Sequence, residues 1–319
     1  QLDLPDGWQG GDYFTLKAIG INGEELYTWS YPIRNAKEQN DQSFYSSKSE
    51  VDKPLELLET EDALTILAGD RKFVFDMDLF ALKEVWQGEK NIPISQLENQ
   101  IEGLESKKVG ASYERNPDGS ISVTFNYKPY PKSVVWTIFA DGRLKMEASS
   151  LAAWLRDVDL LGIGFSIPED QLKSIRWIGN GPYRVWQNRL KGVEFGIWEK
   201  EYNNTQTGYS FESLVYPEFK GYHSNLHALK LQMNTADIII RSETPNLYFS
   251  LLHPEYPEES TPGVKPSLPK SNLAFLYKIP GIGTKFHLAE EMGPQSQKGN
   301  SVSRREDEGS PIVLWFDFK

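Results

Sequence analysis

The feature that most constrains the fold is a two-residue alternation of apolar and polar side chains along most of the chain. Residues 13–19 and 26–31 alternate in this way and flank Asn22-Gly23. Both residues of such a turn must adopt positive φ, so Asn-Gly between alternating runs predicts a β-hairpin. The same arrangement predicts hairpins around Gly69-Asp70, residues 116–119 and Asp141-Gly142.

Further alternating or apolar runs predict the remaining strands, at residues 161–167, 192–198, 227–232, 237–241, 247–252 and 312–318. Helical spacing is scarce, and only residues 50–59 and 94–103 carry a weak helical signal. Many strands joined by hairpins indicate large antiparallel sheets that close or stack to hide their edges. The sequence therefore predicts an all-β fold.

Three segments are predicted to be loops. Residues 36–53 are polar and suit a linker between two modules, while residues 254–271 contain five prolines. Residues 293–310 are rich in glycine, serine, glutamine and charge, a composition typical of a disordered or mobile loop.

Charge and composition exclude several classes of function. The chain of 319 residues has a formal net charge of −11 and no cysteine. A nucleic-acid partner is disfavoured because phosphate binding needs a positive surface, and thiolate sites are ruled out. No stretch approaches the roughly 20 apolar residues of a membrane span, so we expect no membrane partner. The sequence leaves the cellular compartment open.

The sequence contains no recognisable metal, cofactor or nucleophile motif. The four histidines are His223, His227, His253 and His287. His223 and His227 would lie about 13 Å apart on one face of a strand, too far for a shared metal. Zinc-protease spacing, a nucleophile elbow and a phosphate-binding glycine loop are all missing. We therefore expect neither a metal nor a cofactor.

The most informative segment is 175–189, where two tryptophans, a tyrosine and three arginines surround two glycines and a proline. Sugars stack on aromatic rings while polar groups fix their hydroxyls, so this segment is a candidate carbohydrate site. A second candidate is the aromatic stretch around Glu218. The predicted carbohydrate-binding residues are Tyr183, Arg184, Trp186, Arg189, Glu218 and His223. A structural role, with Trp177 and Pro182 largely buried, is predicted for Trp177, Gly179, Gly181 and Pro182.

This segment resembles a motif of the C-terminal domain of family 2 β-galactosidases, the bacterial lactose-cleaving type, written approximately W-x-G-x-G-P-x-E-x-Y-x-D-R. The matching residues are Trp177, Gly179, Gly181, Pro182 and Arg189. Arg184, Trp186 and Asn188 stand where the family has glutamate, tyrosine and aspartate. The likeness covers roughly residues 60 to 319, and residues 10–35 resemble the last two strands of the preceding immunoglobulin-like domain.

The resemblance implies both an architecture and a location of the catalytic residues outside this domain. It implies a large antiparallel supersandwich like that of galactose mutarotases over residues 41–319, preceded in residues 1–40 by terminal immunoglobulin-like strands and a linker. In the family the catalytic glutamates lie in an upstream TIM barrel, and this domain contributes only part of the wall of the sugar pocket. The chain has no eightfold β/α alternation, so no catalytic residue is expected in it. Residues 286–299 contain no counterpart of the tryptophan that the family offers to the sugar.

Two alternatives remain open from the sequence. One is a free-standing carbohydrate-binding protein of the same fold. The other is an aldose epimerase, which needs a histidine acid and a carboxylate base over one sugar ring. His253 and Glu218 are the residues that could be proposed for it.

Overall fold

A computed structural model of the protein describes residues 4–38, 54–96, 100–149, 158–202, 220–254, 265–298 and 310–319. Within these ranges all strand ladders are antiparallel. The helical elements there are 3-10 turns at Trp8–Gly10, Glu169–Gln171, Ala289–Glu291 and Pro294–Ser296, together with residues 36–38. The predicted all-β fold is confirmed.

The strands, in chain order, are β1 (Tyr13–Ile19), β2 (Glu25–Pro32), β3 (Glu56–Glu59), β4 (Ala63–Ala68), β5 (Arg71–Asp76), β6 (Ala81–Gln87), β7 (Lys90–Ile92), β8 (Ile101–Glu102), β9 (Lys107–Arg115), β10 (Ile121–Lys128), β11 (Ser133–Ile138), β12 (Leu144–Ala148), β13 (Leu161–Phe165), β14 (Leu172–Gly181), β15 (Glu194–Glu201), β16 (Gly221–Met233), β17 (Asp237–Ser242), β18 (Tyr248–Leu251), β19 (Leu273–Lys278) and β20 (Ile312–Phe318). The four predicted hairpins are all present.

Some local predictions from the sequence were wrong. Residues 56–59 and 101–102 form strands β3 and β8 rather than helix, because pairing with β4 and β13 outweighs a weak local preference. Strand β19 was missed because all six of its residues are buried, so it has no apolar and polar alternation. The glycines of segment 175–189 belong to β14, which continues through Gly181, and the chain leaves the strand only at Pro182.

The predicted loops fall largely outside the described ranges. Residues 39–53 of the linker and residues 299–309 of the predicted disordered segment are not described. Residues 265–271 of the proline-rich segment contain no strand or helix, as expected. The proposed boundary near residue 40 therefore stays a prediction.

Strand β16 joins two parts of the largest sheet. Its first residues pair with β18, where Tyr222 faces Ser250, and its later residues pair with β17, where Leu229 faces Ile240. Asn225, with a φ of 53°, lies between the two parts and breaks the extended backbone there. The sheet order is β8-β13-β19-β18-β16-β17-β20-β12-β11-β10-β9, with β14 beside β16 and β15 beside β14.

A core of aromatic rings packs the two parts of this sheet and a separate five-stranded sheet, β3 to β7, against one another. Phe165 of β13 contacts Phe316 of β20 at 5.4 Å and Trp136 of β11 at 6.2 Å between ring centroids. Phe75 of β5 lies 6.0 Å from Trp136. All four rings are fully buried. Stacked antiparallel sheets with a shared aromatic core form a β-sandwich, as predicted.

The N-terminal hairpin, β1 and β2, forms its own two-stranded sheet. It is attached through Glu194 of β15, whose carboxylate accepts hydrogen bonds from the Ser30 amide at 3.1 Å and the Tyr27 hydroxyl at 3.0 Å. Tyr13 adds an edge-to-face contact with Phe195, 6.1 Å between centroids. These contacts place the hairpin beside β15. Strand β15 pairs with β14, the strand that contains Trp177, Gly179 and Gly181 of the motif.

Candidate functional site

The motif strand β14 is held by unusually close packing around its two glycines. A Cβ atom on Gly181 would lie 2.7 Å from the Trp177 ring and 2.7 Å from the Trp198 ring, and one on Gly179 would lie 2.7 Å from the Asn225 carbonyl oxygen. Any larger residue would therefore force its neighbours apart. The indole N–H of Trp198 donates to the Gly179 carbonyl at 3.1 Å. The spacing of tryptophan and glycine in the motif is thus a packing requirement.

Trp177 is fully buried, as the sequence analysis predicted. Its ring N–H donates to the Asn180 carbonyl at 3.1 Å, which satisfies the one polar atom of the side chain. Pro182 is only half-buried, less than predicted, because the chain leaves the sheet at this residue.

Residues 182–193, which we call the motif loop, connect β14 to β15 and are anchored on two sides. The Val185 amide donates to the Tyr222 carbonyl at 2.9 Å, and the Gln187 amide donates to the Pro280 carbonyl at 2.9 Å. Asn188 makes two side-chain hydrogen bonds to the Ile282 backbone, donating at 2.9 Å and accepting at 3.0 Å. An aspartate could not make the donated bond, which gives a reason for asparagine at this position.

Only some of the residues predicted to bind carbohydrate are accessible. Tyr183 is 39% exposed, and Arg189 is exposed, with its guanidinium 3.3 Å from the Gly283 carbonyl. Trp186, in contrast, is buried and packs edge-on against Tyr222 at 5.2 Å. Tyr183 and Arg189 can meet a ligand at the surface, whereas Trp186 supports the loop from below.

Of the other three predicted residues, only Arg184 belongs to the motif loop. His223 is fully buried between Phe249, stacked at 4.9 Å, and Trp177 at 5.1 Å. Arg184 is half-buried, with its aliphatic stem against Gly221, where an added Cβ would come within 2.7 Å. Glu218 lies outside the described residues.

An open cavity of about 630 Å³ lies beside the motif loop, and we call it the motif cleft. Its lining residues are Gln187, Asn188, Arg189, Leu190, Lys191 and Gln295. Amides and two cations dominate this lining, so the cleft offers hydrogen-bond donors and positive charge. It contains no carboxylate among the described lining residues.

Of the six residues that line the motif cleft, only Arg189 was among the predicted carbohydrate-binding residues, and the other five were missed. Gln187 directly follows the predicted Trp186, and Asn188, Leu190 and Lys191 lie within two residues of the predicted Arg189, so their place in the loop could have suggested them. Gln295 comes from the segment interpreted as disordered, yet it is the middle residue of the 3-10 turn Pro294–Ser296, which packs near Gly281, where an added Cβ would lie 2.8 Å from Ser296. No local signal indicated that contact.

Two of the four histidines, His223 and His227, are buried and pack against aromatic rings, whereas His287 is exposed. His227 is buried, with its ring 4.7 Å from Phe195, and burial lowers its pKa to about 4 against a smaller opposing effect of Asp12. His253 lies with Nε2 3.1 Å from the Ser271 carbonyl. Within the described ranges no group of three or more histidine, aspartate or glutamate side chains could hold a metal ion. No helix there is long and apolar enough to cross a membrane.

Comparison with protein families agrees with the motif and the fold. The sequence profile of the family described as the beta galactosidase small chain matches residues 26–293, which include β14 and the whole motif loop. A comparison with individual curated proteins gave no match. The matched region covers most of the chain, and the chain therefore belongs to the β-galactosidase small-chain family.

Proposed function

We propose that this chain is the accessory sandwich domain of a β-galactosidase-type glycoside hydrolase, which contacts saccharide at the motif cleft while a separate catalytic barrel cleaves the bond. Membership of the small-chain family supports the association with such an enzyme. The accessory role, the carbohydrate ligand and the upstream barrel are parts of the proposal.

The observation that carries the proposal is the chemistry of the motif cleft. Glycosidases of this kind cleave with two carboxyl groups, about 5–5.5 Å apart in retaining enzymes and about 6.5–9.5 Å apart in inverting ones. The described lining has Arg189, Lys191 and three amides and no carboxylate. Such a surface can bind sugar hydroxyls, and it lacks the groups that protonate a leaving group or attack an anomeric carbon.

The N-terminal hairpin supports attachment to a larger protein. In the β1–β2 register Leu16 faces Trp29 and Phe14 faces Tyr31, so these side chains share one face of the hairpin with Tyr27. Trp29 is 38% exposed and Tyr31 is 53% exposed. A two-stranded hairpin forms no stable core alone, and exposed aromatic clusters mark interaction surfaces. We assign this face to the upstream part of the parent chain, the rest of an immunoglobulin-like domain.

The test measures binding and turnover on the same purified chain. We expect a glycan array to show saccharide binding, and nitrophenyl β-galactoside to be hydrolysed no faster than in buffer. Substituting both Arg189→Ala and Lys191→Ala should reduce array binding at least tenfold, whereas Lys107→Ala with Lys132→Ala, outside the cleft, should not. Hydrolysis by the chain alone would contradict the proposal, as would binding unaffected by the cleft substitutions.

The gene and one kinetic measurement separate the alternatives. A barrel-encoding region directly upstream supports an accessory domain, whereas an export signal directly before residue 1 supports a free-standing binding protein. An epimerase would speed the mutarotation of fresh α-galactose above the buffer rate. We expect the buffer rate.

A further inference from the structure

A second cavity, of about 460 Å³, lies where the edge of the small sheet meets the end of β13. We call it the edge groove. Ser95 and Ser166 form its backbone junction through two hydrogen bonds, of 3.1 Å and 2.7 Å. Its volume lies within the range of about 300–1,000 Å³ that is typical of small-molecule sites. The groove is lined by other segments than the motif cleft and shares no lining residue with it.

Trp86 gives the edge groove an aromatic wall. Val85 and Ile92 face each other and point into the core, so the neighbouring pair Trp86 and Asn91 faces outward. The indole N–H donates to the Glu84 carboxylate at 2.8 Å, and the Lys72 ammonium lies 4.4 Å from the ring centroid. These two contacts fix the ring before any ligand arrives, which reduces the entropy lost on binding.

Gln171 supplies a polar group whose hydrogen-bonding capacity is unused. It lines the groove, and its Oε1 is buried with no hydrogen-bond partner among the described residues. Buried side-chain oxygens are almost always paired, and an unpaired one indicates a missing donor. Because Oε1 itself is buried, a ligand hydroxyl or a water molecule can donate to it only after the Gln171 side chain turns into the groove.

The charges of the lining define the class of ligand. Lys83 and Glu84 are the charged residues of the groove, and their opposite charges cancel. The other polar groups are the amides of Asn91 and Gln171 and the hydroxyls of Ser95 and Ser166. An aromatic ring, neutral hydrogen-bonding groups and zero net charge suit a ligand with many hydroxyls and no charge.

We propose that the edge groove is a binding site for an uncharged saccharide, stacked on Trp86 and hydrogen-bonded to Gln171. This site is separate from the motif cleft, whose described lining is positively charged. The proposal does not depend on the accessory function, because it rests on other residues.

The test follows the indole N–H resonance of Trp86 in the full chain by NMR during titration with lactose, cellobiose and maltose. We expect at least one of these sugars to shift the resonance saturably. Gln171→Leu should weaken that binding at least tenfold, and so should Trp86→Ala, followed through the amides of Asn91, Ile92, Ile94 and Ser95. Trp8→Ala is the matched control, because Trp8 is a partly exposed tryptophan outside the groove, and it should bind as the original chain does.

The outcomes distinguish this site from the motif cleft. If circular dichroism shows that Trp86→Ala alters the fold, the binding measured for Gln171→Leu alone decides whether the groove binds the sugar. No saturable shift with any of the three sugars overturns the proposal. Binding that survives Gln171→Leu but is lost in the Arg189→Ala and Lys191→Ala double variant overturns it as well and assigns the sugar to the motif cleft.

Discussion

Gly181 and Glu194 face each other across the β14–β15 ladder. The glycine is where the motif loop leaves the sheet, and the glutamate is the residue that holds the N-terminal hairpin through Ser30 and Tyr27. A single pair of neighbouring residues therefore connects the hairpin to the start of the candidate site.

Glu194→Ala should release the hairpin from β15. The substitution removes the acceptor of hydrogen bonds from the Ser30 amide, the Ser30 hydroxyl and the Tyr27 hydroxyl. We expect faster proteolytic cleavage within residues 13–32, with an unchanged urea midpoint for the sandwich. Glu199→Ala, an exposed site on the same strand, is the control. Equal cleavage rates in both variants would show that Glu194 does not anchor the hairpin.

Asn188→Asp should destabilise the motif loop. The aspartate cannot donate to the Ile282 carbonyl and places a charged oxygen against it. Leaving the Ile282 carbonyl without its hydrogen-bond donor should lower the free energy of unfolding by about 1–3 kcal/mol. Urea denaturation measures this loss. The same change at the exposed Asn91 should cost little. A loss of the same size at both positions would assign the effect to net charge rather than to the Ile282 contact.

Gly181→Ala should be destabilising even though alanine is a small residue. Its Cβ would meet two tryptophan rings at 2.7 Å, and such overpacking typically costs about 1–3 kcal/mol. Gly110→Ala provides the comparison, because an added Cβ there meets no atom within 4 Å. We expect that variant to be neutral or slightly more stable in the same urea measurement. Neutral behaviour of Gly181→Ala would refute the packing explanation of the motif.

Trp177→Ala removes a fully buried ring from the core and should cost about 3–5 kcal/mol. Trp8→Ala, at a residue that is 38% exposed, should stay within about 0.5 kcal/mol of the original chain. Urea denaturation measures both. A loss below about 1 kcal/mol for Trp177 would show that the ring is not part of the core.

His227 should make the protein less stable in acid. Its pKa is lowered by burial from 6.5 to about 4, so between these values the unfolded chain binds a proton that the folded chain does not. Stability is therefore lost as the pH falls from about 6.5 to about 4, by roughly 3 kcal/mol in total. His227→Gln should remove this part of the pH dependence in urea measurements, whereas His287→Gln, at an exposed site, should keep it. Identical pH profiles for all three chains would contradict the assignment.

The sequence predicted the hairpins well because their turns depend on local conformation. Gly23, Gly119 and Gly142 all have positive φ, which only a few residue types adopt readily. Alternation also located most strands, but it could not detect β19, which is buried on both faces.

The candidate site was harder to predict because aromatic residues serve both cores and ligand sites. Trp186 and His223 were predicted to bind carbohydrate, and the fold buries both. Trp86 carried no sequence signal, since its groove forms only when β7 meets the end of β13. Arg189 and Tyr183 were accessible, as a binding role requires, and their contact with sugar stays a prediction.

The pairing of β16 with both β17 and β18 has a consequence for how the molecule opens. Residues 221–223 of β16 pair with β18 and residues 228–232 pair with β17, so one continuous backbone links the two ladders end to end. Hydrogen exchange should accordingly report β16, β17 and β18 as one cooperative unit with a common opening free energy. A displacement of the part of the sheet around β18 would thus be carried along one backbone to the part around β17.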